Sequence, residues 1–325
     1  MRPIGILYEN EAWLEPTFRS LDAADIPYAR LFANDEVFDR GAAAPEWSLA
    51  VNKVSPSSYL RGHAPSIAFA REFLPLLEER GIPVVNGSAA FRLETSKALQ
   101  LLLLDRLSIR APRAHVASDP ARIIEAARDL LFPVIVKPNV GGSGALMRRF
   151  ETIEELRAAA STLELGPDGT ALVQEYLEPI DGSITRIEFL DGEYLYAIRI
   201  TNDRDTDFNL CPADICQTDP ASADATLGAE FDNCVVDAPA KKALKIEAVD
   251  APHELIDAVL RIAKLGRLDV GGVEYLVAAR DGLPYVYDIN ALSNFVTDAE
   301  RLVGFDPHAR FARYLERRAR EAVRS

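Results

Sequence analysis

The glycines of Gly141-Gly142-Ser143-Gly144 lack the side chains that would keep backbone N–H groups away from the oxygens of an anion. By itself the run also reads as an ordinary Gly-rich hairpin. It is not a P-loop, because no Gly-Lys-Ser/Thr follows, and it lacks GxGxxG spacing. A nucleophile elbow is excluded by Ala145, which stands where the last Gly would be. Lys137 lies just upstream, at the end of the apolar stretch Phe132-Pro133-Val134-Ile135-Val136, where an ammonium is costly unless an anion pairs with it. Only seven of the 36 cations are lysines, at 53, 97, 137, 241, 242, 245 and 264. Lys97 falls in the first turn of a helix predicted over 94–107, a second place suited to a phosphate.

Acidic chemistry is concentrated near the C-terminal end. Glu274 sits in one predicted strand, and Asp288 and Asn290 alternate on the next, so a period of two turns both side chains to one face. Three oxygen donors on adjacent strands suit Mg²⁺, which takes carboxylates, phosphate oxygens and waters. Asn52-Lys53 ends an N-terminal strand, and ligands of open α/β sheets bind beyond strand carboxyl ends, which makes Lys53 a candidate anchor for a substrate carboxylate.

These residues must be positioned by at least two kinds of sheet. Residues 4–8, 28–32, 49–54 and 82–86 read as strands separated by helices at 13–23 and 66–80, the pattern of a parallel sheet covered on both faces. A second unit, from about 109, has strands at 113–116, 132–136 and 171–176 and helices at 119–130 and 152–161. A third opens with strands 183–190 and 193–201 joined by Asp191-Gly192, a short-range hairpin signal. A helix at 252–266, strands at 272–278 and 284–290 and an Arg-rich amphipathic helix at 307–323 complete it. The expected organisation is an α/β domain over 1–108, an α+β unit over 109–182 and a further α+β unit over 183–325. Residues 202–244 are acidic, with weak periodicity, and read as a long functional loop; Arg204 and Asn209 are candidates to reach the cleft from it.

Composition narrows the partners. The 325 residues carry a net charge of −14, which argues against sequence-independent binding of nucleic acid or an anionic membrane. Cys211, Cys216 and Cys234 form no CxxC, an odd count that fits a reducing compartment, and no apolar run marks export, so the cytoplasm is expected. Two of these thiols, Cys211 and Cys216, read as buried small hydrophobes rather than nucleophiles. The four His are scattered without metal-ligand spacing.

In their order, Lys97, the Phe132–Pro138 strand with Lys137, the Gly-rich loop, Val173-Gln174-Glu175-Tyr176-Leu177, Glu274 and Asp288-Ile289-Asn290 resemble the ATP-grasp superfamily. Within it the chain is most similar to carboxylate–amine ligases of the ribosomal-protein glutamate ligase, glutathione synthetase and D-alanine:D-alanine ligase type. The resemblance implies an N-terminal parallel α/β domain followed by two α+β subdomains that clasp ATP. It implies that Lys97 and Lys137 contact phosphates, that Gly141, Gly142, Ser143 and Gly144 form a lid, and that Gln174, Glu175, Tyr176 and Leu177 form the adenine hinge, with Glu175 accepting from the purine amino group. Asp181 or Ser183 would meet the ribose. Glu274, Asp288 and Asn290 would hold two Mg²⁺ ions, with Mn²⁺ as a substitute, and Arg199 and Arg186 would bind the γ-phosphate or an acyl phosphate. Where relatives continue the metal Asn into small residues, Pro and Gly, this chain has Ala291-Leu292-Ser293-Asn294-Phe295, which places Ser293 beside the substrates. The implied activity joins a small carboxylate to an amine; an ATP-grasp kinase and a non-catalytic ATP-binding protein are the alternatives. A homo-oligomer is left open.

Overall fold

A computed structural model describes residues 1–39, 41, 43–201 and 244–322. The first sheet contains β1 (Ile4–Tyr8), β2 (Tyr28–Phe32), β3 (Leu49–Lys53) and β4 (Val84–Val85), all parallel, in the order β2-β1-β3-β4. Helices α1 (Glu11–Ala23) and α2 (Ala64–Glu79) cover its two faces. Alternation along β1 accounts for this: Ile4, Ile6 and Tyr8 pack with Leu14, Phe18 and Leu21 of α1, whereas Leu7 packs with Phe73, Leu74 and Leu77 of α2. Two helices follow, α3 (Ser88–Glu94) and α4 (Lys97–Arg106). The single helix predicted over 94–107 is thus broken at Thr95-Ser96, where the Ser96 side chain caps α4 by accepting from Leu99 N–H at 3.2 Å.

The second sheet is antiparallel, with β5 (Ala114–Ala117), β6 (Val134–Pro138), β7 (Arg148–Phe150) and β8 (Ala171–Glu175) in the order β5-β8-β6-β7. Its helices α5 (Ile123–Ala126) and α6 (Ile153–Ala159) bury one face on Val134, Val136 and Val173. The helix predicted over 119–130 shrinks to α5 behind a single 3₁₀ turn at Pro120–Arg122. Because α5 and α6 take one face, Ile135, Lys137 and Gln174 are left on the other.

The third sheet is antiparallel and has five strands: β9 (Ser183–Leu190), β10 (Glu193–Thr201), β11 (Lys245–Ala248), β12 (Val270–Val277) and β13 (Pro284–Asn290), ordered β11-β10-β9-β12-β13. Asp191 and Gly192 both have positive φ, 57° and 74°, as the two-residue turn between β9 and β10 demands. Helix α7 (His253–Gly266) packs with α4 on one face, against Ile187, Phe189, Ala197 and Val273. The other face carries Ile184, Arg186, Ile198, Ile200, Glu274 and Leu276. After β13 come α8 (Ala299–Val303) and α9 (Pro307–Ala322), whose Phe311 and Leu315 join the core formed by α1 and the first sheet.

One side chain ties the first sheet to the third. Asn86, just after β4, has a left-handed φ of 46°, which Asn tolerates. Its amide donates to the carbonyls of Val270, at 2.8 Å, and Ala291, and its oxygen accepts from Asp269 N–H at 2.8 Å. Among the described residues no helix is long and apolar enough to cross a membrane.

Candidate active site

One cleft is lined by the second and third sheets, by Trp13 and the turn after β3, by the start of α4 and by the segment after β13. On the third sheet, Glu274 of β12 lies directly opposite Asp288 of β13 and beside Arg186 of β9. Two facing carboxylates repel one another, and each has a cation in contact. Arg186 donates from Nη1 to Glu274 Oε1 at 2.9 Å and from Nε to Glu188 Oε1 at 2.6 Å; Lys97 pairs with Asp288. Gly272 makes this arrangement possible, since a Cβ there would come within 2.6 Å of the Arg186 guanidinium. Burial pushes Glu274 up against the pull of Arg186. At Asp288 burial acts in the same upward sense, but Lys97 and Lys137 outweigh it and hold the carboxyl below its ordinary value. Lys97 itself is raised because the Asp288 carboxylate overcomes its desolvation.

The position of Lys97 follows from local structure. It is the first residue of α4, and Gln100 one turn on fixes that helix to the edge of β13, donating to Ile289 O at 2.8 Å and accepting from Ile289 N–H at 3.2 Å. Asn139, two residues past Lys137, accepts from the N–H groups of Lys97 and Ala98 at 3.2 and 3.0 Å and so holds the two lysines together.

On the second sheet, Lys137 is buried and its ammonium makes no hydrogen bond to a described residue. Desolvation, reinforced by Lys97, lowers its pKa to about 7. Gln174 shares its face, and the amide oxygen of Gln174 is buried with no partner among the described residues. The Gly141–Gly144 run lines the cleft; Ser143 and Gly144 both have positive φ, 55° and 69°, and Ala145 N–H closes back on Gly142 O at 3.2 Å. Tyr176 and Leu177 also line the cleft.

Several expectations are corrected. Glu175 lines the cleft, and its carboxylate already accepts from Leu131 N–H at 3.1 Å and Arg280 at 2.9 Å; the unsatisfied acceptor beside it is Gln174. Arg199 does not face the acids. It pairs in register with Thr185, on the α7 side of the sheet, reaches Glu247 at 3.7 Å, and leaves Ile198 and Ile200 on the cleft side. A one-residue offset in a strand reverses the face. Asp181 turns to the Ser183 N–H and hydroxyl, at 3.1 and 2.6 Å, and lies outside the cleft lining, as Ser183 does. Lys53 is buried and donates to Ser293 O at 2.7 Å, so these two residues hold each other and neither lines the cleft. Arg204, Asn209, Cys211 and Cys216 lie outside the described residues.

Three contributors escaped the sequence. Tyr287 donates to Glu274 Oε2 at 2.9 Å. The register of β12 and β13 shifts between Glu274 and Tyr275, which makes Tyr287 the extra residue of a bulge and lets it point to the cleft beside Asp288. Glu94, at the end of α3, is buried, accepts from Ala291 N–H, and is pushed up to about 7 by desolvation. Trp13, from α1, forms part of the far wall.

Glu274, Asp288 and Asn290 fit Mg²⁺: the donors are all oxygens, two carboxylates and an amide, set on neighbouring strands, and Mg²⁺ commonly takes one or two carboxylates with phosphates and waters completing the shell. Among the described residues no group of three or more His, Cys, Asp or Glu forms a metal cluster.

No protein-family model matches the chain. A curated D-alanine–D-alanine ligase of Maridesulfovibrio salexigens is 28% identical over 235 residues, 69% of this chain and 68% of the relative. The chain spans less than half the length of the first curated relatives it matches. Among solved structures, the ATP-grasp ligase PsnB complexed with a minimal precursor superposes with a TM-score of 0.66 at 19% identity, covering 98% of this chain and 100% of the other. A D-alanine–D-alanine ligase from Bacillus anthracis complexed with ATP gives 0.66 at 17% identity, covering 99% and 98%. The chain therefore has the ATP-grasp fold.

Proposed function

We propose that the chain is an ATP- and Mg²⁺-dependent carboxylate–amine ligase acting on an amino acid or small peptide through an acylphosphate. The observation that carries this reading is the meeting, in one cleft, of three cations suited to phosphates with an oxygen donor set suited to Mg²⁺: Lys97, Lys137 and Arg186 with Glu274, Asp288 and Asn290. A substrate carboxylate attacks the γ-phosphorus and ADP leaves; an amine then attacks the acyl carbon, and phosphate leaves with formation of the amide. Nothing in that sequence requires a nucleophilic side chain. Catalysis is positioning and charge stabilisation of the transferring phosphoryl group. Lys137 and Arg186 are the groups we assign to the phosphoryl oxygens, Lys97 to the nucleotide phosphates, and the Gly141–Gly144 run to the exclusion of water from the acylphosphate. Gln174 is assigned to the purine amino group. Bound Mg²⁺ would supply Lewis-acid stabilisation of the phosphate charge, held by Glu274, Asp288 and Asn290.

An ADP-release screen over amino acids, dipeptides and small carboxylates, with hydroxylamine as the trapping amine, tests the reading. Acid-dependent ADP release together with a hydroxamate is expected. Acids that stimulate turnover without ever yielding a hydroxamate would instead indicate phosphoryl transfer to a hydroxyl.

A further inference from the structure

The cleft face of the third sheet is laid out in rows that run across its strands. In one row Tyr196 of β10, Glu188 of β9, Gly272 of β12 and Asn290 of β13 stand opposite one another in register. The next row holds Ile198, Arg186, Glu274 and Asp288. Gly272 leaves a gap in the first row, and the Arg186 guanidinium enters it, 2.6 Å from where a Cβ would stand. There its Nε donates to Glu188 Oε1 at 2.6 Å and its Nη1 to Glu274 Oε1 at 2.9 Å.

The two glutamates are not equivalent. Glu274 lines the cleft, belongs to the oxygen set that suits Mg²⁺, and accepts from Tyr287 on its other oxygen. A cation bound there competes with the guanidinium for the same carboxylate. Glu188 is fully buried and lies outside the cleft lining, with the core residues Tyr196 opposite it and Leu190 next along its face. Its Oε2 is buried with no hydrogen-bond partner among the described residues. Stability is a poor account of such a group, because a buried ion pair barely offsets the desolvation of its charges, and Glu274 already neutralises the same guanidinium. What Glu188 supplies is a second fixed edge: with Nε held from the core side and Nη1 from β12, the guanidinium plane has one orientation. We propose that Glu188 is a positioning residue that keeps Arg186 in the gap over Gly272 when Mg²⁺ engages Glu274, so that the guanidinium meets the transferring phosphoryl group. The inference rests on the ligase reading for the transfer of a phosphoryl group in this cleft.

The test compares wild type with Glu188→Met and Glu188→Gln. The first removes the acceptor at nearly constant volume and strands no charge, because Arg186 keeps Glu274; the second retains an acceptor for Nε. Without nucleotide both variants should melt within about 3 °C of wild type or above it. In ADP release, Glu188→Met should lower kcat roughly 30-fold with the KM for ATP within about twofold, whereas Glu188→Gln should lower kcat less than about fivefold. A role confined to packing predicts the reverse, a lowered melting temperature with kcat unchanged. A kcat for Glu188→Met within about threefold of wild type, or an equal loss in Glu188→Gln, overturns the proposal. Failure of every acid to give a hydroxamate overturns the ligase reading alone, since ADP release to another acceptor still reports kcat. A readout that needs no substrate is the gain in affinity when beryllium fluoride, a phosphoryl mimic, is added to Mg²⁺ and ADP, measured by calorimetry. Glu188→Met should cut that gain roughly tenfold and leave the affinity for ADP alone unchanged. No gain in wild type, or an undiminished gain in Glu188→Met, overturns the positioning role.

Discussion

On the β12–β13 side of the cleft each acid has a cation in contact, Lys97 with Asp288 and Arg186 with Glu274. On the β6–β8 side, the Lys137 ammonium and the Gln174 amide oxygen are buried without hydrogen-bond partners among the described residues. The first wall is electrostatically closed, and breaking any of its pairs leaves a charge stranded. The second is open, so a phosphate or a purine adds interactions without displacing any. Substitutions on the two walls should therefore have opposite consequences for stability even where both weaken binding.

The largest effect is expected at the donor set. Asp288→Asn should lower kcat/KM for ADP release roughly 100- to 1,000-fold while circular dichroism shows the fold retained; activity within a factor of about three of wild type would remove Asp288 from the chemistry. The comparison itself is decided by Lys97→Met against Lys137→Met. Thermal or urea unfolding without nucleotide should show Lys97→Met destabilised by about 1–3 kcal/mol, because the half-buried Asp288 loses its cation and keeps only the Asn290 amide. Lys137→Met should be as stable as wild type or more so, since it removes a desolvated ammonium, yet bind ATP roughly 10- to 100-fold more weakly. Equal destabilisation of the two variants would erase the distinction between the walls.

A pH effect comes next in size. Lys137 has a folded pKa of about 7 against an ordinary value of 10.5, and a polyphosphate beside it favours the charged form. Binding should take up close to one proton between about pH 7 and 10, and affinity should fall as pH rises through that window, by at most roughly tenfold per unit. Calorimetry at pH 8.5 in buffers of different ionisation enthalpy reads the uptake, which Lys137→Met should abolish. The smallest effect belongs to Arg199→Ala, expected to change ADP release by less than about twofold because the side chain lies on the α7 face. A loss of roughly 30-fold or more would return Arg199 to the site.

What could be read from the sequence follows periodicity and local caps. Lys97 behind the Ser96 cap, Lys137 at a strand end, and the Glu274, Asp288 and Asn290 alternation each depend on residues within a few positions of one another, and all five reach the cleft. Arg199 was misplaced because its strand could be entered in either phase, and only the pairing of β10 with β9 settles which face it takes. Tyr287 was hidden for a related reason: a bulge abolishes the alternation that sequence patterning relies on. Glu9 and Arg61 pair across 52 positions, and neither carries a local signal for the other. Lys53 and Ser293 illustrate the reverse error, since a strand-end lysine can be consumed by a carbonyl contributed 240 positions away.

Asn86 has a bearing on how this fold can change over time. Through one amide it sets the beginning of β12 and the residue after Asn290 at a fixed height above the first sheet. The turns that follow β1 and β3 lie beyond this joint, so they can be rewritten without shifting Glu274 or Asp288. The turn after β3 is not independent of the Gly-rich run, since Tyr59 and Ser57 lie against Gly141 and Gly142, so change around Glu274 and Asp288 is tolerated only while Asn86 is kept, and at that turn only in step with the run.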